Sequence, residues 1–219
     1  MNRNSLVITT LSIVGMIVFL VVAYIFTSGG GQDTTEYPDL KIIKNTDHTK
    51  WSKNNKTVFM EYSDFQCPAC GQYYALMKNL GNDAHGKKIM ENITFVYRHF
   101  PLDSTHPNAR SAAHAAESAA LQGKFYEMHD LLFEKQGEWS TSENPADIFA
   151  KYAKLLKLNV DQFKKDMDSK SVKDKVQSDL LSGRDVNVQG TPTFFLNGKK
   201  VNNPASLEEL KKVLLEGIK

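Results

Sequence analysis

Hydrophobic and polar positions change rhythm several times along this chain, and each change marks an element. Leu6 to Phe26 is 21 residues without a charge. As a helix it would reach roughly 30 Å, the thickness of a bilayer core. Ser28-Gly29-Gly30-Gly31-Gln32 follows as a flexible stretch, and residues 33 to 56 are polar with few packing points. Val58-Phe59-Met60-Glu61-Tyr62 predicts a buried strand. From Pro68 to about Asn82 the apolar spacing is helical, with Cys70, Tyr73, Tyr74, Met77 and Leu80 on one face. Ile93 to Phe100 is β-branched and aromatic, a second strand. A short strand–helix–strand unit implies a right-handed crossover and a parallel pair.

Between 105 and 184 the pattern is helical throughout. Asn108 to Gln122 is Ala-rich and Gly123 is a stop signal; Phe125 to Lys135 continues as helix. Asn144-Pro145 is a cap and first-turn proline for a helix through Leu158. Val160, Phe163 and Met167, then Val172, Val176 and Leu180, mark one or two more. The end returns to β structure. Thr193 to Leu196 and Lys199 to Val201 flank Asn197-Gly198, a two-residue hairpin turn. Ser206 and Glu209 predict a capping box for a last helix carrying Leu207, Leu210, Val213 and Leu214.

The chain is thereby divided into a transmembrane anchor at 1–27, a linker at 28–49, a sheet-containing domain at 50–104 and 185–219, and a helical insertion at 105–184. Arg3 precedes the apolar run and acidic residues follow it, so the N-terminus is expected in the cytoplasm and the remainder outside. A cleaved signal peptide is the rival reading, disfavoured by the length of the run and the poor cleavage site at Phe26-Thr27-Ser28. A net charge of +2 is too near neutral to suggest nucleic acid as a partner, and the lysine-rich stretches read as solvated helix faces. No dimerisation segment stands out, and a monomer is expected.

Candidate chemistry rests on the only two cysteines, in Cys67-Pro68-Ala69-Cys70. If Cys67 caps the helix opened by Pro68, its sulfur meets the orphan amides and the positive end of the helix dipole. Both favour thiolate, so its pKa should fall below the usual value of about 8.5. Such a thiolate is a good leaving group, and its disulfide should be oxidising. Cys70, on the apolar face, should stay buried and protonated. Zinc binding is disfavoured because no second cysteine pair or suitably spaced histidines accompany the motif. A purely structural bond would close a loop too small to stabilise much. No metal or cofactor is expected.

Gly190-Thr191-Pro192 precedes a strand; a cis bond there would turn the Thr191 backbone outward, where an extended substrate could pair with it. Pro68 and Ala69 would lie in the same binding surface. Glu61 on the buried strand is placed to take or supply the Cys70 proton through water. His99 is expected to be a satisfied core residue, and His114 and His129 to face other helices or solvent.

Three separated segments resemble DsbA-like thiol–disulfide oxidoreductases. They are Val58 through Cys70, Phe95-Val96-Tyr97-Arg98-His99-Phe100-Pro101-Leu102, and Gly190-Thr191-Pro192-Thr193-Phe194-Phe195-Leu196-Asn197-Gly198. The resemblance spans roughly residues 50 to 219. It implies an α/β, thioredoxin-like fold with an inserted all-helical domain, here preceded by one N-terminal transmembrane helix. It implies Cys67 as exposed nucleophile, Cys70 as resolving thiol, Thr191-Pro192 as the cis-proline loop and Glu61 as the buried acid. The family's founding oxidant has histidine where this chain has Ala69, which suggests an oxidant of intermediate strength. The expected partners are cysteine-containing exported proteins and a membrane redox partner, by family likeness a quinone-linked oxidase. A reductase or isomerase of the same fold, and an anchored peptide-binding module or holdase, are the competing readings.

Overall fold

The computed structural model describes residues 13–20, 35–54 and 56–219. Residues 13–20 are helical and exposed, and most of the expected anchor lies outside the described residues. Among the described residues no helix is long and apolar enough to cross a membrane. Residues 35–219 form one compact unit.

That unit is built on a five-stranded mixed sheet: β1 (His48–Trp51), β2 (Thr57–Ser63), β3 (Ile93–His99), β4 (Thr193–Leu196) and β5 (Lys199–Val201), in the spatial order β1-β3-β2-β4-β5. β2 and β3 are parallel, with Glu61 opposite Tyr97 and Ser63 opposite His99; the other pairings are antiparallel. Every residue of β2 and β3 is buried, because both faces of the sheet are covered. Within residues 35–219 nine α-helices are described: α1 (Pro68–Lys78), α2 (Ala84–Asn92), α3 (Ala109–Ala120), α4 (Phe125–Glu134), α5 (Gln136–Trp139), α6 (Pro145–Leu155), α7 (Val160–Met167), α8 (Lys170–Asp185) and α9 (Leu207–Glu216).

Side chains alternate across a strand, and the alternation sorts the two cores. Phe59, Phe95, Tyr97 and Phe194 join Cys67, Cys70, Leu210 and Leu214 on one face. That cluster runs without a break into Ala112, Ala116, Met128, Leu132, Trp139 and Phe149 of the helical block. The helical insertion is therefore welded to the sheet through one core. Val58, Met60, Tyr62, Val96 and Phe195 point the other way, onto Leu40, Leu180, Val186 and Val188.

The linker expected at 28–49 needs correction: from residue 35 the chain is folded. Tyr37 N–H donates to Gly198 O at 2.8 Å, Leu40 is 2% exposed, and His48 begins an edge strand. Asp47 holds Arg98 in a fully buried fork, with Nε and Nη2 at 3.0 and 2.9 Å. His48 Nε2 and His99 Nε2 both lie 2.8 Å from Glu117 Oε1 on α3. These interior partners were invisible in a segment whose composition is polar. The helix α2 also went unread, since only Ile89 and Met90 are apolar among its last residues.

Local signals explain several junctions. Asp83, Asn159, Ser169 and Ser206 accept from first-turn amides of α2, α7, α8 and α9. Glu209 reaches back to the Ala205 N–H, one residue before the expected box position. Asn144 does not cap α6 through its oxygen; its amide donates to Asp147 instead. Asn197 and Gly198 have φ of 49° and 77°, a type I′ turn. A Cβ at Gly198 would come 2.4 Å from Tyr37 O, so glycine is required twice over.

Candidate active site

Cys67 is the N-cap of α1, in extended conformation, with Pro68 in the first turn. The chain arrives through a rigid turn. Asp64 accepts from the N–H groups of Gln66 and Leu102 and pairs with His106 Nδ1 at 2.7 Å, while its carbonyl receives Cys67 N–H. Gln136 of α5 donates to Phe65 O at 2.7 Å and Cys67 O at 3.0 Å. Gln66 reaches Ser140 O and the Asn108 N–H. The helical block thus fixes the backbone beneath the cysteines. None of Asp64, Gln66 or Gln136 stood out in the sequence; a lone polar residue in a loop or a four-residue helix carries no periodic signal.

Both cysteines are free thiols. Cys67 is 7% exposed and Cys70 0%, so only Cys67 can meet an incoming sulfur. The nucleophile is more recessed than the exposed one expected, because the Thr191 carbonyl sits 3.3 Å from its sulfur and accepts the thiol hydrogen. The Thr191–Pro192 bond is cis. Pro68 is exposed and Ala69 half-buried beside this narrow opening. Asn203 donates to Pro192 O at 3.0 Å, and Tyr73 of α1 donates to the next residue's carbonyl, Pro204 O, at 2.8 Å. A groove of about 410 Å³ borders the loop, lined by Gln189 to Thr193 and Lys200 to Asn203.

The two sulfurs are driven apart electrostatically. Donation from the Cys70 thiol is the largest influence holding the Cys67 pKa down, to about 5; burial opposes it, and the Cys70 amide, the Thr191 hydroxyl and the Ala69 amide assist. No first-turn amide closes a full hydrogen bond on the sulfur in the thiol form, so the expected amide cap is a contribution rather than the dominant one. Burial pushes Cys70 well above its ordinary value, and the adjoining Cys67 sulfur and Glu61 charge add to this. Glu61 is 1% exposed; burial raises its carboxyl to about 8, against a hydrogen bond from Ser63 Oγ at 2.7 Å. One poised thiolate, one protonated thiol and one buried acid meet at the start of a helix. That division of roles is what stepwise sulfur exchange requires.

His99 is buried and bonded to Glu117, away from the sulfurs' own hydrogen bonds. His129 is buried on α4, where its Nδ1 pairs with Asp130, and His114 lines an open cleft with Arg110 and Lys164.

A sheet with a C-x-x-C helix N-terminus facing a cis-proline loop defines a thioredoxin fold. A family model described as "Thioredoxin" matches residues 44–216, and the chain belongs to that family. Among curated proteins it is 39% identical over 164 residues to Na(+)/H(+) antiporter NhaA 1 of Salinispora arenicola, a match covering 75% of this chain and 24% of that one. It is 36% identical over 169 residues to NhaA 3 of Salinispora tropica, covering 77% and 24%. The chain thus spans about a quarter of the length of these relatives. Among solved structures, oxidised BdbD from Bacillus subtilis superimposes with a TM-score of 0.70 at 21% identity, over 86% of this chain and 99% of that one. Wolbachia pipientis alpha-DsbA1 gives 0.68 at 19%, over 82% and 94%. At such identities the likeness speaks for the fold.

Proposed function

We propose that this protein is a thiol–disulfide oxidoreductase that oxidises cysteine pairs in exported proteins outside the cytoplasm, tethered by its N-terminal apolar segment. The observation carrying this reading is the pairing of a depressed Cys67 thiolate, 7% exposed beside the cis-proline loop, with a Cys70 thiol wholly covered beneath it. A client thiolate attacks Cys67 Sγ of the Cys67–Cys70 disulfide, and Cys70 leaves and takes a proton. A second client thiol then attacks the client's sulfur in the mixed disulfide, and Cys67 leaves as thiolate. The client loses two electrons and the protein gains them. A membrane partner, for which a quinone-linked oxidase has the right chemistry, returns the dithiol to disulfide. Membrane placement is supported by the uncharged run Leu6 to Phe26.

The direction of flow follows from leaving-group strength. A thiolate this stable favours the reduced protein and hence an oxidising couple. Ala69 removes the extra donor of the strongest oxidants, so the potential should fall between about −120 and −270 mV. Equilibration of the full chain with glutathione redox buffers, read by thiol alkylation, tests this. A value at the thioredoxin end would favour the reductase reading. A Cys67→Ser protein that keeps its cellular role would point to a binding module.

A further inference from the structure

The exchange scheme needs the Cys67 sulfur held in one direction, toward the Thr191 loop. Two local backbone bonds hold the residue: its N–H donates to Asp64 O at 3.1 Å, and its carbonyl receives Gly71 N–H at 3.2 Å. A side chain from the helical insertion joins them. Gln136 Nε2 donates to Phe65 O at 2.7 Å and to the carbonyl of Cys67 itself at 3.0 Å. Apart from Asp64, which belongs to the same turn, no other side chain among the described residues bonds the backbone from Phe65 to Gly71. A Cβ added at Gly71 would lie 3.4 Å from Gln136 Oε1, so the amide rests against the first turn of α1. Gln136 is firmly carried in its turn. It opens α5, and Trp139, three residues on, is fully buried with its Nε1 donating to Leu132 O at 2.9 Å.

We propose that Gln136 is a positioning residue for the thiol exchange, through which the helical insertion aims the Cys67 sulfur. The inference rests on the exchange chemistry proposed above. An amide nitrogen has two N–H donors, enough for both carbonyls at once. Bridging Phe65 O and Cys67 O fixes the two peptide planes that bracket Gln66 and Cys67, and with them the direction in which the Cys67 side chain projects. Cys67 is extended there, with φ −69° and ψ 121°. In that geometry its sulfur meets both the Cys70 thiol and the Thr191 carbonyl. Without the bridge the Cys67 carbonyl keeps only the Gly71 amide, and ψ gains freedom to drift. A client sulfur must approach along the line of the Cys67–Cys70 bond, so a small change in that direction costs rate. The insertion is thereby part of the frame of the reaction and not only a cover for the sheet.

The test uses the full-length chain with Gln136→Met, which keeps the reach of the side chain and removes its donors, and Gln136→Glu, which sets an acceptor against the two carbonyls. Gln122→Met is the control: Gln122 also bridges backbone groups within the helical block, at Asn159, and has no bond to the cysteine segment. The pH midpoint of Cys67 alkylation, the equilibrium with glutathione at pH 7 and urea unfolding are measured for each. In Gln136→Met the midpoint should rise by about 0.5–1 pH unit. The equilibrium constant for oxidising glutathione should fall by about three- to tenfold, tenfold being about 30 mV. Gln136→Glu should move both further in the same direction. Gln122→Met should lose stability and leave both at the parent values. A parental midpoint and equilibrium in Gln136→Met overturns the proposal. So does a midpoint that rises as far in Gln122→Met, which would mark a general loosening of the block. Gln136→Glu is judged by the same two criteria, so the proposal does not depend on one variant folding. If Cys67 of the parent itself titrates near the ordinary value of about 8.5, the proposed function falls, and not the role of Gln136 alone.

Discussion

Replacing Glu61 by Gln should make the protein's stability less sensitive to alkali, and the size of the effect follows from burial. The carboxyl is 1% exposed and titrates near 8 in the fold against an ordinary value of 4.5. A raised value means that the folded state holds this proton longer than the unfolded chain does. The associated stability is therefore fully present below about pH 4.5 and is lost as pH climbs through 8. Each pH unit in that window is worth about 1.4 kcal/mol, so the loss between pH 5 and pH 8 amounts to about 4 kcal/mol at most. Local relaxation reduces it, and about 2–4 kcal/mol is the expected range. Glutamine has no proton to lose. The stability of Glu61→Gln minus that of the parent should therefore grow by this amount from pH 5 to pH 8. The assay is urea unfolding of the oxidised full-length protein, followed by fluorescence and circular dichroism. Oxidation silences both cysteines and leaves burial, the largest cause of the shift, intact. A difference constant to within about 0.5 kcal/mol across this range would refute the reasoning, because it would mean the carboxylate is solvated in the fold.

The remaining predictions address the sulfurs and the frame around them. Alkylation of Cys67 should show a midpoint near pH 5, and Cys70→Ala should raise it, since the Cys70 thiol is its largest stabiliser; an unchanged midpoint would return the dominant role to the helix amides. Asp47→Ala leaves the Arg98 guanidinium buried without its fork and should cost about 3–5 kcal/mol by urea unfolding, whereas a loss under about 1 kcal/mol would place Asp47 outside the folded unit. Gly198→Ala should destabilise by about 1–3 kcal/mol through its left-handed backbone, with a further loss from the approach to Tyr37 O, and a neutral result would contradict the turn.

How much of this was legible depends on whether a feature is periodic or convergent. The strands at Val58 and Ile93, the Asn197-Gly198 hairpin and the helix opened by Pro68 each announce themselves within a few residues, because local geometry dictates local composition. β1 did not, since His48-Thr49-Lys50-Trp51 is a half-covered edge whose stability comes from partners 43 or more positions away. The Cys67 environment was readable as a helix start. Its strongest influence was less so: the sequence emphasised amides and dipole, whereas the neighbouring thiol leads. Ser63 was hidden for a related reason. A serine ending a strand has no pattern to break, and only the fold shows that its hydroxyl bonds a buried acid.

The route taken by residues 35 to 51 has a mechanical meaning. Tyr37 is pinned to the hairpin at one margin of the sheet, Leu40 and Ile43 lie across the side away from the cysteines, and β1 closes the opposite margin. A pull on the N-terminal end is met by the contacts of Glu36 and Tyr37 with the hairpin and, further along the chain, by the Asp47–Arg98 fork. The load is borne like a strap around a parcel, and the reactive sulfur, on the other side, is insulated from the tension of whatever holds the protein in place.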